Sequence, residues 1–197
     1  LAAPVAAQNP QDDAAAPQPD AAYAASMAEA AWDWRPGDLI FRNGVNAIDD
    51  AMRRSFGLKW ASVGILRPSS GGPRVAFVDQ SDGVTEVMLY EHIEGLSPDE
   101  YAVYRLRDLT PDDRPDAQMW PGPMVRFALF ITYGQPFDTE FMLGDGKFYN
   151  AELAYQSALN AGIVPVDVMD VVAGRLAIMR LCRRESIRVE PAPQIGN

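Results

Sequence analysis

Apolar and polar positions recur with different periods along this chain, and the changes of period mark its elements. Asp38–Phe41 is a short, mostly apolar run after the turn residues Pro36 and Gly37 and reads as a strand. From Asn46 to Phe56 the spacing is helical: Ala47, Ile48, Ala51, Met52 and Ser55 share a face, Asn46 is placed to cap and Gly57 to stop. Trp60–Leu66 and Arg74–Asp79 read as two strands separated by turn residues between Pro68 and Pro73, and Tyr101–Leu106 as a third. Pro123–Tyr133 is apolar nearly all round, which predicts a buried helix stopped by Gly134. Tyr149–Ala161 is the second clearly amphipathic helix, with Gly162 beyond its end. Val171–Leu181 and Ser186–Val189 read as strands. Clustered helices beside neighbouring strands predict an α+β domain.

The ends have a different texture. Residues 1–31 hold fourteen Ala, four Pro, three Gln and four acidic residues, with no Lys or Arg. Such a segment buries little, so a flexible arm is expected, although Ala21–Ala31 would permit a helix with Tyr23, Met27 and Ala30 on one face. The folded domain is expected over 32–190, with 191–197 as a fraying tail. The chain begins at Leu1, and an Ala/Pro/Gln arm ahead of a domain commonly follows an export signal. A periplasmic or secreted location is the resulting expectation.

Composition narrows the chemistry. The 197 residues suit one ordinary domain, and 48% apolar residues suit a packed one. Seventeen basic against twenty-seven acidic residues, a net charge of -10, argue against a nucleic-acid partner and against an anionic membrane face. No apolar run approaches the roughly 18 residues that cross a bilayer. The single cysteine, Cys182, excludes an internal disulfide and multi-cysteine metal sites, and the single histidine, His92, excludes multi-histidine ones. No metal and no cofactor is expected.

Three stretches carry the functional reading. The first is Gly37-Asp38-Leu39-Ile40-Phe41, a helix, then Lys59-Trp60-Ala61-Ser62-Val63-Gly64-Ile65. The second is Phe77-Val78-Asp79-Gln80-Ser81-Asp82-Gly83-Val84. The third is Gly134-Gln135-Pro136-Phe137-Asp138, then Phe141, then Tyr149-Asn150-Ala151-Glu152-Leu153. In this order and spacing, across about 38–157, they resemble the circularly permuted papain-like hydrolases, the YiiX-like branch of the NlpC superfamily. The resemblance implies helices packed on a small antiparallel sheet or barrel, with the strand that carries the base ahead of the helix that carries the nucleophile. Family chemistry needs a thiolate at a helix N-terminus, an imidazole to take its proton and a polar group to orient that imidazole.

At the two decisive positions this chain departs from the family. Ser62 stands where the family has histidine, and Asn150 where it has cysteine; Asp79 alone matches the acidic position in kind. A serine hydroxyl is no base near neutral pH and an asparagine amide is no nucleophile. Losing both members of a cooperating pair leaves at most the residual catalysis of a binding site. An engineered knockout would account for Asn150 and not for Ser62.

Each position also has a plain structural role open to it. Asn150 suits the N-cap of the following helix, Ser62 suits a filler among apolar neighbours, and Asp79 suits a cap for the turn at Asp82–Gly83. His92, in Leu89–Ile93, is expected to be solvated or on a helix face. Cys182, near Arg183 and Arg184, is expected to be a buried structural thiol. Asp138 and Asp145 are expected as solvated turn residues, because the Gly144-Asp145-Gly146 loop lacks the oxygen-ligand spacing of a calcium loop. Most of Trp32, Trp34, Trp60, Trp120, Phe137, Phe141 and Tyr149 should be core, with Trp60 and Tyr149 the preferred groove residues. The resulting expectation is a catalytically inactive relative whose vestigial cleft (Ser62, Asp79, Asn150, Trp60, Tyr149) binds a small-molecule, peptide, cell-wall or lipid-linked ligand, or a protein partner. The alternative is an active amide or ester hydrolase that uses non-standard residues.

Overall fold

The computed structural model describes residues 35–44, 47–55, 57–69, 72–106, 108–109, 122–163, 171–172, 175–176 and 186–189. The arm, the tail, Cys182, Asn46, Trp32, Trp34, Trp120 and most of the expected strand Val171–Leu181 lie outside these residues.

Strand β1 is Leu39–Arg42, followed by helix α1, Ala47–Ser55. β2 (Ser62–Arg67), β3 (Arg74–Asp79) and β4 (Gly83–Met88) follow, then the short helix α2 (Leu89–His92) and β5 (Tyr101–Leu106). Helix α3 (Pro123–Arg126) runs into a π-helical turn, Phe127–Ile131, and α4 spans Asn150–Asn160. β6 (Val171–Val172) and β7 (Arg175–Leu176) form a two-stranded ribbon, and β8 is Ser186–Val189. The main sheet has six strands in the order β4-β3-β2-β1-β5-β8, every pair antiparallel. The α+β expectation is met. Among the described residues no helix is long and apolar enough to cross a membrane.

The sheet separates two apolar clusters. Side chains alternate across a strand, so Leu39, Phe41, Val63 and Ile65 face Met124, Val125, Leu153 and Ala154 of the helices. Ile40, Leu66, Val75 and Val103 join Leu89 and Ile93 on the other side. Gly64 is what lets β2 and β3 approach: a Cβ there would lie 2.3 Å from Val75 Cγ1. At the outer edge, the Val84 N–H donates to Gln135 O (2.9 Å) and the Gly134 N–H to Val84 O (2.8 Å), which covers β4. Gly83, at φ +70, passes so close that a Cβ would fall 2.1 Å from Gln135 O.

The structure departs from the sequence pattern, or adds to it, at three places. β4 is a strand that the sequence pattern leaves unassigned. Residues 123–133 are not buried all round: Met124, Val125 and Ala128 enter the core while Phe130 is 74% exposed, with Ile131 and Tyr133 exposed beside it. The Thr132 N–H donates to Phe127 O, five residues back, and the Thr132 hydroxyl donates to Ala128 O (2.9 Å). That extra residue per turn shifts the helical phase and turns the later apolar side chains outward. Helix α1 forms, yet Ala47, Ile48, Ala51 and Ser55 of its expected apolar face are exposed.

Candidate functional site

The site lies where β2 and β3 part. Their ladder pairs Arg67 with Arg74, Leu66 with Val75 and Ile65 with Ala76. Continued, the same register would set Ser62 opposite Asp79. The Val84 polar groups face away from β3, toward residues 134–135, so the Val78 N–H beside them faces β2. There it meets the side chain of α4: the Val78 N–H donates to Asn150 Oδ1 at 2.7 Å.

Asn150 is therefore not the cap of its helix. Tyr149, in an extended conformation, is the N-cap, and Asn150 is the first helical residue. Its carboxamide supplies the acceptor that a β2 carbonyl would otherwise give. A buried N–H left without an acceptor is costly, which explains why the side chain points at the strand and not along its own backbone. Asn150 is 4% exposed and Ser62 2%, and neither Asn150 Nδ2 nor Ser62 Oγ has a hydrogen-bond partner. Asp79, half-buried, accepts the Ser81 and Asp82 N–H groups on Oδ1 (2.7 and 3.1 Å), the turn-capping arrangement. Trp60 and Tyr149 are both buried in the main core cluster. The structure thus ties Asn150 to β3 next to Asp79 and puts Ser62 at the start of the strand that faces them. This set offers an amide, a hydroxyl and a carboxylate, and it contains neither an imidazole nor a thiol.

Of the other weighed residues, Asp138 departs from expectation, His92 meets it in part and Asp145 meets it. His92 is buried in α2, edge-on to Phe77 with ring centroids 5.1 Å apart. Burial, with the Arg42 charge adding to it, lowers its pKa to about 3, so it stays neutral. It is on a helix and is not solvated. Asp138 is fully buried and not a solvated turn residue: its carboxylate accepts the Glu140 N–H (2.8 Å) and the Met142 N–H. Asp145 caps its own turn through the Lys147 N–H (2.9 Å).

Two arrangements were not singled out from sequence. Asp38 is fully buried, accepts the Arg35 N–H and forms a two-pronged pair with Arg105 at 2.9 and 2.8 Å. Burial raises its pKa despite the Arg105 guanidinium and the Arg35 N–H, which pull the other way. Glu152, two residues past Asn150, is 1% exposed. Its Oε1 accepts the Gly144 N–H at 2.8 Å and its Oε2 has no partner. Burial raises this carboxyl to about 7; the hydrogen bonds with Gly144 and Gln156 oppose that, while Asp138 and Asp145 add to it. The available signal was a carboxylate on the helix turn that also carries Leu153 and Ala154.

No protein-family model matches the chain, and no curated protein does. Among solved structures it is similar to the metalloprotein yiiX of Escherichia coli O157:H7, with a TM-score of 0.56 and 20% identity over 69% of this chain and 71% of that one. The likeness establishes a shared fold with a YiiX-like protein. Among the described residues of this chain, no three His, Cys, Asp or Glu side chains gather as metal ligands. The Asn150 amide, Ser62 hydroxyl and turn-capping Asp79 carboxylate are a poor donor set for a transition metal.

Proposed function

We propose that this chain is a catalytically silent relative of the permuted papain-like amidases and peptidases, and that it acts by binding through the cleft at Ser62, Asp79 and Asn150. The chain order supports the permuted arrangement, since β2, the base strand of the family, precedes α4, the nucleophile helix. The observation that carries the reading is the bond from the Val78 N–H to Asn150 Oδ1. At the position where the family needs sulfur, this chain has an amide that holds the core together. The ligand class is a peptide, a cell-wall fragment or a lipid-linked group, or a protein that covers the same opening. An envelope or secreted setting is part of the proposal and rests on the composition of residues 1–31.

Activity probes test it directly. Thiol-directed and serine-directed reagents should leave the cleft unlabelled, and amide and ester substrates should not turn over. Labelling at the cleft would establish the alternative, an active hydrolase with reassigned residues. The double substitution Ser62→His with Asn150→Cys should create a probe-reactive thiol where each single change does not. A folded double variant that stays unreactive would refute the placement of the cleft.

A further inference from the structure

The segment from Asp138 to Phe148 wraps the N-terminal turn of α4 and is held there by carboxylates. Asp138 gathers the Glu140 and Met142 N–H groups, and Glu152 accepts the Gly144 N–H at 2.8 Å. Between these anchors Phe141 has φ +57, a conformation unfavourable for a bulky residue by roughly 1–2 kcal/mol, so the loop keeps it only while it is held. The Phe141 ring packs on Tyr149, the N-cap of α4, at 5.2 Å, and on Phe137 at 6.1 Å. This loop therefore forms the wall next to Asn150.

Glu152 is the weak anchor. Its Oε2 is buried without a partner. The charges on the loop are of the wrong sign, Asp138 and Asp145, with Lys147 drawn 3.8 Å from Asp145. Gln156 of its own helix is its one further polar contact. The elements packed on α4 carry Arg126 on α3, Arg67 on β2, and Arg74 and Asp79 on β3; Glu86 holds both strand arginines and Asp79 caps its own turn. Among the described residues an ionised carboxylate here has no cation paired with it, whereas a neutral carboxyl keeps the Gly144 bond at much lower cost.

We propose that Glu152 is a pH-sensitive latch: its neutral carboxyl holds the Asp138–Phe148 loop on α4, and its ionisation releases the loop and opens the wall beside Asn150. The site titrates at about 7, so the latch is closed in mildly acidic surroundings and loosens above neutrality. The latch is a property of this loop and does not depend on what the cleft binds.

Hydrogen exchange tests it on the whole chain. The protection factor of the Gly144 amide, corrected for the intrinsic pH dependence of exchange, should fall about tenfold between pH 6 and pH 8, while the amides of β1 and β2 hold steady. Glu152→Gln, which keeps an acceptor and cannot ionise, should remove the fall. Asp145→Asn keeps the turn and removes one charge that disfavours ionisation, so Glu152 should ionise at lower pH in the closed loop and the fall in Gly144 protection between pH 6 and pH 8 should shrink. Protection that is flat in the natural chain, or that falls equally in Glu152→Gln, would overturn the latch. Should Glu152→Gln fail to fold, an Asp145→Asn profile identical to that of the natural chain would overturn it as well. Cleft labelling by activity probes would leave this result unaffected, so the two proposals fail separately.

Discussion

The two ends of the β2–β3 pair solve the same problem in opposite ways. At the end near Arg67, charges are matched. Glu86 is shared by Arg67 and Arg74, and the neighbouring start of β1 holds the pair of Asp38 with Arg105. Burial works to raise the Glu86 pKa, and the two guanidinium groups outweigh it and hold the carboxyl below its usual value. At the other end the ladder stops at Ile65 and Ala76, a side-chain amide replaces a strand carbonyl, and polar groups go unmatched. Among the described residues, buried side-chain atoms without partners are found on Ser62, His92, Asn150, Glu152 and Ser157. All but His92 belong to β2 or α4. Unmatched buried polar groups weaken a fold, so this end of the pair is held less tightly than the matched one.

Substitutions can break or sharpen this contrast. The largest effect is expected at the matched end: Asp38→Ala removes both arms of the pair with Arg105 and the acceptor of the Arg35 N–H, and should lower stability by about 3–5 kcal/mol, read from the urea midpoint. A loss below 1 kcal/mol would show that the pair is not what closes that end. Asn150→Ala leaves the Val78 N–H buried without an acceptor and should lower stability by about 1–3 kcal/mol. The same measurement checks it, with the Val78 amide losing exchange protection first.

Smaller effects should follow pH. Glu152 has a raised pKa in the folded chain, so its contribution is complete below its ordinary value of 4.5 and is lost as pH rises toward about 7. His92 has the opposite sign: its contribution is complete above its ordinary 6.5 and is lost as pH falls toward about 3. Melting temperatures across pH 4–8 should therefore lose their alkaline-side decline in Glu152→Gln and part of their acid-side decline in His92→Phe. Retention of both slopes would contradict the assignments. The smallest effect is expected from Ser62→Ala, within about 0.5 kcal/mol of the natural chain, because its hydroxyl has no partner to lose.

Much of the fold was legible from local pattern. The strands around Ile40, Ile65, Val78 and Val103 and the helix at Leu153 are apolar at the period their structure requires, and Gly37, Gly83 and Gly162 punctuate them where the chain turns. β4 was missed because Thr85 and Glu86 are polar in a strand that is half covered, with Glu86 present to serve Arg67 and Arg74 from neighbouring strands. The outward turn of Phe130 and Ile131 was missed because the π-helical turn at Phe127–Ile131 changes the helical phase without changing composition. For the proposed site, the motifs single out Ser62, Asp79 and Asn150 by number. The purpose of the Asn150 amide was not, since its partner is 72 residues away.

By itself the sequence determined the reagents: one histidine, one cysteine, and neither at the position where a papain-like cleft would use it. Identity is a local property, and no folding can turn an asparagine amide into a thiolate. Tertiary structure alone decided which polar groups are matched. Whether Asp138 is wet or buried, whether Glu152 keeps its proton, and whether Asn150 caps a helix or joins a sheet all depend on contacts between distant segments. Burial and partnership set the cost of a charge or an unpaired donor, and both exist only once the chain has closed on itself.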